Sequence, residues 1–120
     1  MSLRSRLETF HLISPAAGWP IGTTVLVPAP APPSRERVAI YSLVASSPNP
    51  TRFAFQGTDG TPINGPIDLL ANTNFVLPQN ENSDPWFITP STTGLSIVVT
   101  AGALFGDIYY LIVPGDFASA

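Results

Sequence analysis

The sequence predicts an all-β protein: an antiparallel β-sandwich preceded by an extended, proline-rich N-terminal arm. Three observations predict it. Apolar residues fill 44 % of the 120 positions and charged residues only 11 %, whereas disordered chains are poor in hydrophobes and rich in charge. The 14 prolines and 9 glycines interrupt helices, because Pro lacks an N–H and Gly carries an entropic penalty. Short β-branched and aromatic runs also recur about every eight to twelve residues with turn chemistry between them, the spacing of a sandwich or barrel. No segment has βαβ spacing. The jelly roll is among the sandwich arrangements this pattern allows.

Residues 1–34 are read as the arm and 35–120 as the sandwich. In Arg4 to Ile13, Leu7, Thr9, His11 and Ile13 share one face of an extended strand, with Glu8, Phe10 and Leu12 on the other. As a helix, Leu7, Phe10 and His11 would share a face, so the pattern leaves a short helix open. Ser14-Pro15 and Gly18-Trp19-Pro20 break the chain. Thr23 to Val27 is β-branched and strand-like. Pro28 to Pro33 follows as polyproline II, a stiff strap of about 19 Å at ~3.1 Å per residue.

Strands become regular from Arg37. Val38 to Ala45 is apolar on both faces, as in a central strand buried from two sides. Ser46 to Pro50 turns the chain. Arg52 to Gln56 then alternates, with Phe53 and Phe55 inward and Arg52 and Gln56 outward. Asp59-Gly60 is a two-residue hairpin signal, whose central positions both need positive φ. Ile63, Ile67, Leu69 and Leu70 come next, interrupted by Asn64-Gly65-Pro66. Phe75 to Leu77 and Trp86 to Thr89 are short strands, separated by a polar loop from Gln79 to Asp84. Leu95, Ile97 and Val99 face inward along Leu95 to Thr100. Ala101 to Gly106 turns into a last strand, Asp107 to Val113.

Charge and residue usage narrow the function classes. There is no Lys; Arg4 and Arg6 against Glu8 give residues 1–34 a sum of +1, and three Arg against seven carboxylates give residues 35–120 a sum of −4. An acidic body releases few counterions from a polyanion, which argues against direct nucleic-acid binding. With no Cys, disulfides, thiolate zinc sites and cysteine nucleophiles are excluded. No stretch reaches the ~20 apolar residues of a membrane helix. Met1 to Ile13 also lacks the apolar run of a signal peptide, so the expectation is synthesis in the cytoplasm.

No catalytic constellation emerges, and the chain is read as a non-enzyme without cofactor or metal. His11 is the one histidine, too few for a histidine metal site and read as a packed residue. Asp59, Asp68, Glu81, Asp84, Asp107 and Asp116 lie in or near turns, where carboxylates cap backbone N–H groups. Asn80 to Asp84 lacks the D-x-[DN]-x-[DN]-G pattern of a calcium loop. Gly57, Gly60 and Gly65 are not followed by a helix start, so no phosphate-cradling loop is expected. Function then falls to surfaces. Phe10, Leu12, Val25 and Val27 are the arm's candidate contact residues. Trp19, between Gly18 and Pro20, is a fifth, since aromatic anchors are enriched at interfaces.

The core motifs R-V-A-I-Y-S-L-V-A (37–45), T-R-F-A-F-Q-G (51–57), G-P-I-D-L-L-A-N (65–72), F-V-L-P (75–78), P-W-F-I-T (85–89), L-S-I-V-V-T (95–100) and G-D-I-Y-Y-L-I-V (106–113) resemble those of small tailed-phage capsid decoration, or cement, proteins. The resemblance covers residues 37–113 and leaves the first 34 unmatched. It implies a homotrimer on the outer face of a phage head that ties capsomers of the major capsid protein together, located on the virion surface. The alternative reading is a carbohydrate- or receptor-binding β-sandwich of a phage fibre, which predicts exposed aromatics on one sheet face.

Overall fold

The computed structural model describes residues 11–31, 35–79, 84–90 and 92–115. Among them nine strands form: β1 (His11–Ile13), β2 (Gly22–Val27), β3 (Arg37–Ser47), β4 (Thr51–Gly57), β5 (Ile67–Leu69), β6 (Thr73–Leu77), β7 (Phe87–Ile88), β8 (Leu95–Ala101) and β9 (Phe105–Val113). They make two antiparallel sheets. One has the order β1-β9-β3-β6, with β7 sharing the β3 edge beside β6; the other has the order β2-β8-β4-β5.

The pairings are nested. β1 pairs with β9, β2 with β8, β3 with both β6 and β7, and β4 with β5. The chain is thus one long antiparallel ribbon rolled so that β9 also meets β3 and β8 meets β4. This is the jelly-roll path, with β6 and β7 together in the place of one strand. Part of the segment read as the arm belongs to the sandwich. Residues 11–27 supply the outermost strand of each sheet, because β9 and β8 would otherwise expose unpaired backbone groups along one side.

The core lies between the sheets. Val38, Ile40, Leu43, Ala45 and Ile108 meet Phe53, Phe55, Leu95, Ile97 and Val99, all buried. Phe53 and Phe55 pack edge-on with ring centroids 6.0 Å apart, and Phe87 lies 5.6 Å from Phe55. The inward alternation expected for β4 and β8 holds residue for residue. β3 is buried on both faces, as its composition predicts, only from Val38 to Tyr41; farther along the strand Val44 is exposed. A bulge falls here: Ile40 pairs with Tyr110 and Ser42 with Tyr109, with Tyr41 as the extra residue between them. The outer side of this end carries a second buried cluster of Ala39, Tyr41, Leu111 and Val113, with Ile88 packed against it.

Two local features differ from expectation. The β4 hairpin turns through three residues: Gly60 N–H donates to Gly57 O (2.9 Å) and Gly57 N–H to Thr61 O (2.8 Å). Only Gly60 takes a positive φ, +91°, which is a type I turn closed by a left-handed glycine rather than a primed turn. β9 also begins at Phe105, two residues before the expected start, because Leu104 and Phe105 pair early with Trp19 and Ser46.

Thr89 extends the short β7. Its N–H donates to Val38 O (2.9 Å), and its buried Oγ1 accepts from Val38 N–H (2.8 Å). The hydroxyl takes the place of a strand carbonyl just before Pro90, where the ladder stops.

Candidate binding surface

The carboxylates serve the turns and the sheet. Asp59 Oδ1 accepts from Thr61 N–H at 3.0 Å inside the hairpin. Asp68 takes a two-pronged contact from Arg52, Nε to Oδ1 at 2.6 Å and Nη2 to Oδ2 at 3.1 Å, across the β4–β5 pair. Asp107 accepts from Ser14 Oγ at 2.5 Å, tying β9 to the chain just after β1. His11 stacks on Tyr110, with centroids 5.0 Å apart. Among the described residues, no group of three or more His, Asp or Glu stands close enough to hold a metal ion.

These bonds shift two carboxyls. The Thr61 backbone and hydroxyl hydrogen bonds hold Asp59 below the usual carboxylate range, and the Arg52 guanidinium does the same for Asp68. A depressed folded-state pKa stabilises above the unfolded value of about 4 and loses that contribution as pH falls through the folded value. Both groups are exposed, so the effect is small. The expected outcome is that Asp59→Asn combined with Asp68→Asn flattens the fall in urea midpoint between about pH 4 and 2. An unchanged slope in that window would remove both bonds from the account.

The five candidate contact residues separate. Phe10 lies outside the described residues. Leu12 is 53 % exposed and sits directly opposite Tyr109, itself 42 % exposed, on the outer face of the five-stranded sheet. Val25 is 57 % exposed on the outer face of the other sheet. Trp19 and Val27 are corrections, because both belong to the chain's own core. Trp19 is 3 % exposed and exchanges backbone bonds with Leu104, N–H to O at 2.7 Å and 3.2 Å. Val27 turns inward because the β2–β8 register shifts between Val25 and Val27. A regular strand would put these two residues on one face.

Several exposed apolar residues escaped the sequence reading. Ile21, 64 % exposed, lies between Pro20 and Gly22, where no periodicity assigns a face. Val44 and Val76 are exposed partners on the outer face of β3 and β6. β3 carries apolar residues on both of its faces, so its composition could not say which of them would stay uncovered. Trp86 is partly exposed but employed. Its indole N–H donates to Pro78 O at 2.7 Å and its backbone N–H to Ile40 O at 2.8 Å, closing the β6–β7 connection.

Leu12, Ile21 and Val25 share one flank of the sandwich, although Leu12 and Val25 point out of its two opposite faces. β5 and β6 meet at one flank of the sandwich, which leaves β1 and β2, the other ends of their sheets, on the opposite flank. No Asp, Glu, Lys or Arg occurs between Glu8 and Arg35, so that flank is free of charge along its described length. Edge strands are ordinarily protected from pairing by charge, proline or bulges. β2 has one bulge near its end and no charge.

No protein-family model, curated protein or solved structure matches the chain.

Proposed function

We propose that the chain is a non-enzymatic virion structural protein, a capsid decoration protein that forms a homotrimer on the outer face of a phage head and holds neighbouring capsomers together. The observation that carries the reading is the uncharged β1–β2 flank with Leu12, Ile21 and Val25 exposed. A chain of net charge −3 repels its own copies least through the surface that holds none of that charge. Each half-exposed side chain taken out of water contributes about 1 kcal/mol. A closed three-fold ring gains three such interfaces for the rigid-body cost of two association events. The motifs that resemble decoration proteins support the same reading. They fall on β3 to β9, so they speak for the scaffold, and the flank supplies the adhesion.

Light scattering tests the seam. The expected mass is three times the 12.7 kDa of one chain, and Leu12→Asp with Val25→Asp should reduce it to a single chain. Both side chains are exposed, so far-ultraviolet circular dichroism should show the same β spectrum in the variant. A wild-type monomer that also fails to sediment with capsids of the major capsid protein would end the proposal.

A further inference from the structure

We propose that a shallow cavity on the outer face of the five-stranded sheet binds a neutral sugar. This goes beyond the decoration reading and does not depend on it. The cavity measures about 560 Å³ and lies where β3, β6 and β9 end together.

Three of its residues form a straight row. Phe105 on β9 is directly opposite Ser46 on β3, which is directly opposite Asn74 on β6. Adjacent strands are about 4.8 Å apart, so the row spans about 10 Å, room for one or two pyranose rings. Asn72 stands at the same end in a left-handed conformation, φ +59°. The Phe105 ring lies over Gly18, where a Cβ would come within 2.7 Å of it.

The chemistry of this set suits a sugar. An amide side chain offers a planar donor and acceptor pair that matches two vicinal hydroxyls. Asn72 and Asn74 are both exposed, and among the described residues none bonds to their amides. Phe105 supplies an apolar wall for the C–H face of a ring. Among the described residues, no charged side chain lines the cavity. The acid nearest in register on this face, Asp107, sits opposite Val44 in the next row and is engaged by Ser14.

The frame is already fixed. Asn72 N–H donates to Ser47 O at 2.7 Å, and the Ser47 and Thr73 hydroxyls both donate to Leu70 O, at 3.0 Å and 2.5 Å. A rigid turn reduces the ordering cost of binding.

The test is a titration of the ¹⁵N-labelled full chain with the methyl glycosides of glucose, galactose, mannose and N-acetylglucosamine, with methyl glucuronide as the anionic probe. At least one neutral glycoside should give saturable amide shifts at residues 46, 47, 72–74, 105 and 106, with a dissociation constant of order 1 mM. Asn74→Ala should weaken it by about tenfold or more, and Phe105→Leu likewise. No shift from any neutral glycoside at about 50 mM, well above that constant, overturns the site. So do shifts that survive both substitutions unchanged. Glucuronide binding equal to the neutral sugars overturns the neutral class. A monomeric protein that still binds sugar would retain this site while losing the trimer, so the two proposals fail separately.

Discussion

Trp19→Ala is expected to lower the unfolding free energy by about 3–5 kcal/mol, the range for emptying a large aromatic from a packed core. Domains of this size are stable by about 5–15 kcal/mol, so the variant stands near the edge of folding. The substitution leaves the two backbone bonds to Leu104 in place and removes only the indole from the core. A drop in thermal midpoint of roughly 10–20 °C should follow. Trp19→Phe, which refills much of the space, should recover a large part of it. Were Trp19 a contact residue for another chain, alanine would spare the isolated protein and weaken assembly. Urea unfolding followed by circular dichroism decides between them; an unchanged midpoint would take Trp19 out of the core.

The second large effect is expected at Gly94. A Cβ there would stand 2.1 Å from Val27 O, 2.6 Å from Pro28 C and 2.7 Å from Ala29 N. All three are backbone atoms, so no rotamer change relieves the overlap. Gly94 also holds the turn after β4, donating its N–H to Thr58 Oγ1 (3.0 Å) and accepting from Thr58 N–H (3.2 Å). Gly94→Ala must push the β2–β3 connection outward or break this contact. The expected cost is about 3 kcal/mol, at the upper end for overpacking. Gly65→Ala is the control, since nothing lies within 4 Å of a Cβ at that position; equal losses for the two would refute the close approach.

What could be read from the sequence was whatever one strand reports about itself. Phe53 and Phe55, or Leu95, Ile97 and Val99, alternate cleanly and occupy the core. Thr23 to Val27 was strand-like and is a strand. Information that lives in pairing was hidden. Trp19 finds its partner at Leu104, far along the chain, and nothing around it announces a sheet. Val25 and Val27 share a parity, yet an extra residue at Leu26 sends one out and the other in. The proposed sugar site was invisible for the same reason. Phe105, Ser46 and Asn74 are unremarkable on their own strands and become a site only when three strands align them.

Nesting also orders events in time. The partner of His11 is Tyr110, and that of Ile13 is Ile108, so the first described strand has no edge to join until β9 has been made. A chain still emerging from the ribosome can close β4 on β5 and β3 on β6, but it must carry β1 and β2 unpaired until synthesis reaches β8 and β9. Topologies dominated by such distant partners fold slowly and are open to capture by neighbours meanwhile. Pro15 follows β1, and Pro20 and Pro28 flank β2. Proline interrupts the extended uncharged runs that aggregate most readily, so they act as gatekeepers during birth as well as corners in the finished roll.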